Sequence, residues 1–254
     1  MGASTAVSPR KRHALELFAG LPQAYDRMGA ALSFGQDPRW RRALVDAVDP
    51  QPGRRVLDVA TGTGLVAFAL AERGCEVVGL DQSEDMLAVA RERLTGRRGL
   101  GDRLTFVRGE AESLPFSDGG FDALTFTYLL RYVDDRLGTM RELARVVKPG
   151  GRIGMVEFGV PAQPALRAAW RVHTRLGLPL AGRLVSPAWL EVGRFLGPNI
   201  EQLYADEPDL VALWRNAGID DVREQRMSFG AGVVVSGTRA PGGEHPGERG
   251  SENG

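Results

Sequence analysis

The chain is poor in cysteine, lysine and histidine, and it has no long apolar run. Cys75 is the one cysteine in 254 residues. No disulfide can therefore close within the chain, as expected of a protein kept in a reducing compartment such as the cytoplasm. Cys75 starts an apolar, strand-like stretch and reads as a buried thiol. The three histidines, His13, His173 and His245, are scattered, and no metal-ligand spacing links them, so no metal is expected. No apolar run approaches the ~20 residues that span a bilayer, and no secretory leader pattern is present. Lys+Arg and Asp+Glu balance at 32 each, which gives no support to a nucleic-acid groove. Lys11 and Lys148 are the only lysines, so arginine carries nearly all the positive charge.

What remains is ordinary globular material, 43% hydrophobic and 25% charged, in a length that suits one large α/β unit. The ends lack periodicity. Residues 1–13 are expected to be a flexible tail, with Arg10-Lys11-Arg12-His13 as a solvated basic cluster, and 238–254 a disordered Gly/Pro/Glu-rich tail. The folded domain is then 14–237.

Its most informative run is Val56-Leu57-Asp58-Val59-Ala60-Thr61-Gly62-Thr63-Gly64, followed by an apolar stretch ending in Gly79-Leu80-Asp81. It predicts a strand, a small-residue loop and a helix from Leu65 to about Arg73. Glycines let a backbone approach a ligand closely, and the helix start offers unpaired N–H groups. Asp81 at the next strand tip is placed to accept hydrogen bonds from a ribose diol. The spacing Ala60-x-Gly62-x-Gly64 departs from the G-x-G-x-x-G of a pyrophosphate loop. A carboxylate at Asp58 would repel two phosphates and attract the cationic amino-acid end of S-adenosylmethionine.

The alternation continues. Leu104–Val107, Phe121–Phe126 and Arg152–Phe158 read as strands. Ser83 is an N-cap before Met86, Leu87, Val89 and Ala90. A helix is expected from about Asp134 to Val147, stopped by Lys148-Pro149-Gly150-Gly151. Val222–Phe229 and Gly232–Ser236 would be the last strands, joined as a hairpin after a helix at Asp209–Ala217. The pattern predicts an α/β fold with a doubly wound, mainly parallel seven-stranded sheet, Rossmann-like. Its crevice lies at the carboxyl ends of the strands, where Asp58, Thr63, Asp81, Glu110 and Thr127 fall. Residues 160–207 interrupt the rhythm with two expected helices, one holding Leu166, Trp170, Val172 and Leu176, the other Trp189, Leu190, Phe195 and Leu196. They are expected to form a helical lid over an acceptor. A homodimer face and bulk packing are the alternatives.

On these motifs the chain resembles the class I S-adenosylmethionine-dependent methyltransferases, and within them the ubiquinone/menaquinone biosynthesis C-methyltransferase family. The resemblance runs from about Phe18 to Gly237. Tyr25-Asp26-Arg27-Met28 with Leu32-Ser33-Phe34-Gly35-Gln36-Asp37-Pro38-Arg39-Trp40-Arg41 resembles its N-terminal signature. Arg145 to Arg152 with Glu157-Phe158 resembles its second. The resemblance implies that Thr63 and the Gly62 and Gly64 backbone hold the methionine part of S-adenosylmethionine, with Asp58 and Ala60 among the cofactor-binding residues. It implies Asp81 at the ribose, Gln82 among the cofactor-binding residues, Glu110 and the backbone of Ala111 at the adenine, Thr127 beside the cofactor, and Tyr25 and Asp26 closing over it. Asp81 as a helix cap and Thr127 as an ordinary strand-end hydroxyl are the plainer readings.

It also implies a small-molecule aromatic or quinone acceptor. Arg131 follows the fourth strand and is the first candidate to stabilise a phenolate or organise a water base, its guanidinium being permanently charged. Tyr132 and His173 are the other catalytic candidates, with packing as the competing role for each. A prenyl tail on the acceptor would bring the lid against a membrane surface. The departures from the family fall on the acceptor side. Gly29 stands where the family has Asn, Asp37 where it has His, Tyr132 where it has Asn, and Gly159 where it has Ser. An aromatic patch is reduced to Gly193-Arg194-Phe195-Leu196. These leave a second reading open, C- or O-methylation of a small phenol, polyketide or other specialised metabolite.

Overall fold

A computed structural model describes residue 26, residues 29–30, 33–97 and 99–241. Tyr25 and most of both expected tails lie outside the described residues. The elements, in chain order, are α1 (Asp37–Ala47), β1 (Arg55–Val59), α2 (Leu65–Glu72), β2 (Glu76–Asp81), α3 (Glu84–Thr95), β3 (Leu104–Arg108), β4 (Phe121–Thr127), α4 (Arg136–Arg145) and β5 (Val147–Phe158). Then follow α5 (Pro164–Val172), a π turn (His173–Gly177), α6 (Leu178–Val185), α7 (Pro187–Asp206), α8 (Leu210–Asn216), β6 (Ile219–Met227) and β7 (Gly232–Arg239).

The strands form one seven-stranded sheet in the order β3-β2-β1-β4-β5-β7-β6, antiparallel only where β7 enters between β5 and β6. Trp40, Leu44, Phe68 and Leu87 from α1–α3 belong to one buried cluster, and Met140, Leu143 and Trp214 from α4 and α8 to another. Central strands covered on both faces need continuous apolar runs, and β1 has one: Val56, Leu57 and Val59 are fully buried. β1 pairs with β2 on one side and β4 on the other, so chain order reverses there and a crevice opens at their carboxyl ends.

Local signals explain the helix starts. Ser83 caps α3, its hydroxyl accepting from the Met86 N–H at 3.3 Å, and Glu84 and Asp85 sit in the first turn where a negative charge opposes the helix dipole. Asp135 caps α4 through the Gly138 N–H at 2.8 Å. Where the sequence reading expects α4 to run to Val147, the structure ends it at Arg145 and begins β5 at Val147. Phe121 pairs with Val147 and Ala123 with Arg152, so Lys148–Gly151 forms an excursion inside the strand. Gly151 is needed there, since a Cβ would lie 2.7 Å from the Asp122 carbonyl oxygen.

The hairpin also differs from expectation. β7 continues to Arg239, with Thr238 paired to Arg152 and Arg239 to Ile219, so the fold runs two residues past 237. The 160–207 insertion holds three α-helices and a π turn rather than two helices. Trp170, Thr174, Leu178 and Gly182 make its buried side, while Val172 and Leu176, expected on the same helix as Trp170, are exposed. The reason is close helix packing. A Cβ on Gly182 would lie 2.2 Å from the Trp189 carbonyl oxygen, one on Gly193 2.8 Å from the Leu178 backbone, and one on Gly197 2.9 Å from Thr174.

Candidate functional site

A cleft opens at the carboxyl ends of β1, β2 and β4. Its walls come from the loop after β1 (Ala60 to Thr63), the β2 tip (Leu80 to Ser83), Met86 on α3, Gly109, Ala111 and Glu112 after β3, and Thr127 to Leu129 with Tyr132 and Val133 after β4. Asp26 and Arg41 complete it from the N-terminal side.

Asp58 shapes the loop from behind. Its side chain is buried and is not part of the cleft wall. One carboxylate oxygen accepts from Thr61 Oγ1 at 2.6 Å and the other from Thr125 Oγ1 at 2.7 Å, tying the loop to β4. Burial pushes its pKa up to about 6 against the pull of those two hydroxyls and of Arg41. Gly62 and Gly64 both take positive φ, +56° and +85°, which favours glycine. They differ in surroundings. A Cβ at Gly62 meets nothing within 4 Å, so the backbone is open to a ligand, whereas at Gly64 it would lie 2.9 Å from the Phe68 ring.

Asp81 works at two ends of the same site. One oxygen accepts from the Gly62 N–H at 2.8 Å and the other from the Ser83 N–H at 2.8 Å. Burial raises its pKa, and these backbone donors hold it down. A carboxylate oxygen accepts more than one hydrogen bond, so the β2 tip keeps acceptor capacity toward the cleft. Thr63 donates to Asp26 at 2.9 Å, and Arg93 on α3 pairs with Asp26 at 2.7 Å. Residue 26 is thereby fastened over the glycine loop.

The opposite end is aromatic. Tyr128 leaves β4 with φ +56°, and its ring stacks on Phe158 at 4.5 Å between centroids. Its hydroxyl donates to Asp37, whose other oxygen takes Arg41 Nε at 2.7 Å. Burial and the Asp37 charge push the Tyr128 pKa well up, so the phenol stays neutral. Tyr132 lies near-parallel to Phe195 of α7, 6.4 Å between centroids.

Arg131 sits behind this wall. It is 1% exposed, with Nη1 3.1 Å from Glu157 Oε1. Its guanidinium lies 5.2, 5.0 and 5.3 Å from the ring centroids of Tyr128, Tyr132 and Phe158. Burial raises the Glu157 pKa, and the Arg131 charge opposes that rise. His173 opens the π turn and contacts the Phe34 ring at 4.0 Å, away from the cleft walls.

The structure thus brings Ala60, Gly62, Thr63, Asp81, Gln82, Ala111, Thr127 and Tyr132 into one cleft. Asp58, Gly64, Glu110, Arg131 and His173 are not among its lining residues. Glu110 is exposed beside it, forming a bridge to Ser113. Sequence reasoning passed over Tyr128 and gave Arg41 no role. Arg41 closes the Trp40-Arg41 end of the N-terminal signature, and Tyr128 follows directly on Thr127, so adjacency was the available signal.

Residues 6–239 match the ubiE/COQ5 methyltransferase family. The chain belongs to that family. It is 38% identical over 92% of its length to a demethylmenaquinone methyltransferase of Clavibacter sepedonicus, covering 92% of that protein. It is 38% identical over 88% of its length to one of Thermus thermophilus, covering all of it. It is 33% identical to a ubiquinone/menaquinone biosynthesis C-methyltransferase of Geobacter sulfurreducens, over 88% of this chain and 87% of that one. Among solved structures, a SAM-dependent methyltransferase from Aquifex aeolicus shares the fold at TM-score 0.57 and 19% identity, over 79% of this chain and 89% of that one. The [4+2]-cyclase SpnF shares it at TM-score 0.51 and 22%, over 80% and 82%. The fold therefore carries more than one chemistry, and membership of the sequence family decides between them.

The ubiE/COQ5 chain is an S-adenosylmethionine-dependent methyltransferase. The cleft fits the cofactor: Gly62 leaves open space above the backbone, Asp81 offers paired acceptors for a diol, and Met86 and Ala111 give apolar walls for a flat base. Among the described residues no cluster of metal-ligating side chains is present, and no helix is long and apolar enough to cross a membrane.

Proposed function

We propose that the enzyme methylates a ring carbon of a reduced demethylmenaquinone-type quinol. The carrying observation is the 38% identity to demethylmenaquinone methyltransferases over most of both chains. The cleft agrees in character, with Tyr128, Leu129, Tyr132 and Val133 as an apolar wall for a fused ring and Arg41 as a cation beside it.

S-adenosylmethionine supplies an electrophilic methyl on a sulfonium. The chain holds it through the residues from Ala60 to Thr63 with Asp81, Gln82, Ala111 and Thr127, and Asp58 acts by fixing the loop. The remaining task is to align the acceptor and raise the electron density of its ring. A phenolate does so, and a nearby cation lowers the pKa of the hydroxyl that forms it. We assign that role to Arg41. Arg131 is a positioning residue, fixing the Tyr128 and Tyr132 rings from behind with Glu157 as its counter-ion. His173 is structural in this reading. Residues 160–207 form the lid, reaching the acceptor wall through Phe195 on Tyr132. Because a prenylated quinol resides in a bilayer, the enzyme works at a membrane surface.

A second reading, methylation of a small phenolic or polyketide acceptor on carbon or oxygen, is favoured by Asp37 and Tyr132, two departures from the family at the acceptor wall. The test is transfer of labelled methyl to reduced demethylmenaquinone beside a panel of small phenols, read by mass spectrometry. Label on the quinol ring carbon is expected, and label only on a small phenol overturns the first reading. Arg41→Gln is expected to lower kcat ~10²-fold and move the rise of kcat to higher pH, with cofactor affinity little changed.

A further inference from the structure

Two stripes run along α5, the π turn and α6, offset by two residues. Trp170, Thr174, Leu178 and Gly182 are buried against the rest of the insertion. Val172, Leu176, Leu180 and Leu184 are 60, 59, 61 and 89% exposed, and Val185 beside them is 68% exposed. Residues two apart on a helix point about 200° apart, so the exposed stripe is the outer face of the insertion. Among the described residues seven large hydrophobic side chains are exposed, and five of them belong to this stripe. An apolar concentration of this kind on a water-facing helix marks an interaction surface.

Charge identifies the occupant. Pro164–Val185 contains Arg167, Arg171, Arg175 and Arg183 and no acidic residue. One carboxylate, Glu201 of α7, lies 2.6 Å from both Arg171 and Arg175, and one carboxylate against four guanidiniums leaves an excess of three positive charges. Arg183, beside Leu184, is exposed and makes no ion pair among the described residues. A second copy would face this surface with its own copy of the same patch, arginine against arginine, because a two-fold interface is self-complementary. An anionic bilayer offers what both components need: phosphate headgroups for the guanidiniums and hydrocarbon for the leucines. Arginine stems can lie along the apolar layer while their heads reach the phosphates.

We propose that the outer face of α5–α6 docks on an anionic phospholipid membrane, through Val172, Leu176, Leu180, Leu184 and Val185 with Arg183 at their edge. The quinol reading supplies the purpose of such docking, but docking itself requires no acceptor. The two therefore fail separately.

The test is co-sedimentation of the full chain with vesicles of phosphatidylglycerol and phosphatidylcholine, and of phosphatidylcholine alone, without acceptor. Binding is expected to the anionic vesicles and to weaken as salt is raised. Leu180→Asp/Leu184→Asp should lower that binding at least about tenfold, and Arg183→Glu should lower it at low salt. Neither should alter methylation of a short-chain, water-soluble quinol, which also shows that the variants fold. Absence of binding to anionic vesicles at low salt overturns the proposal, as does a double variant that binds like the wild type. A dimer by light scattering that the double variant turns into a monomer overturns it in favour of a second copy. If the short-chain quinol is not methylated while vesicles are bound, the acceptor reading fails and the docking surface stands.

Discussion

Tyr128 donates its phenolic hydrogen to Asp37, joining the end of β4 to the start of α1. Asp37 is also the residue that holds Arg41. One carboxylate therefore sets both an aromatic wall and a cation of the cleft. Tyr128→Phe should leave the buried Asp37 carboxylate short of a donor and cost about 1–3 kcal/mol, measured by urea unfolding. If Asp37 positions Arg41 for the acceptor, the KM for acceptor should rise while cofactor affinity holds.

Arg131 and Glu157 test another buried pair, each side chain 2% exposed. Arg131→Met should leave Glu157 as a buried charge without its counter-ion and cost roughly 3–5 kcal/mol. Arg131→Met/Glu157→Gln should recover most of that loss, because no unbalanced charge remains. An equally large loss in the double variant would mean that packing of the guanidinium against the three rings is what matters.

Asp58 gives a pH signature. Its folded pKa, about 6, lies above the ordinary carboxylate value of 3.8, so between these values the folded state binds more protons than the unfolded. Its contribution to stability therefore falls as pH rises through this window and levels off above it. Asp58→Asn removes the titration. The stability of the wild type relative to Asp58→Asn should drop by roughly 2–3 kcal/mol from about pH 4 to about pH 7, followed by paired denaturant curves. A difference that does not change with pH would refute the buried charge.

Gly62 and Gly64 should separate binding from folding. Both need positive φ, so alanine strains either by about 1 kcal/mol. At Gly64 the added methyl also meets Phe68, so Gly64→Ala should lower thermal stability further. At Gly62 it enters open space, so Gly62→Ala should change stability less and weaken S-adenosylhomocysteine binding more, by calorimetry. The reverse ranking would place the ligand elsewhere along the loop.

Local chemistry made much of this fold readable. The loop after β1, the Ser83 cap and the seven-strand count follow from residues near one another in sequence. The start of β5 was hidden because Lys148–Gly151 looks like a stop, and only pairing with Phe121 makes Val147 a strand residue. Arg131 looked accessible because it follows β4, while its burial depends on Glu157 at the far end of β5. Which face of the helix holding Trp170, Val172 and Leu176 packs inward is set by Gly182, Gly193 and Gly197, which admit a neighbouring helix where larger side chains would not.

Those three glycines have a mechanical consequence. Gly182 and Gly193 rest on the Trp189 and Leu178 backbones and Gly197 on the Thr174 side chain, so a slide of α6 along α7 brings a real side chain into a gap sized for hydrogen. The pair behaves as a stiff plate. It joins the rest of the fold through two short stretches, Gly159 to Gln163 ahead of α5 and Glu207 to Asp209 behind α7. A plate held this way carries its arginine-rich outer face and Phe195 as one unit.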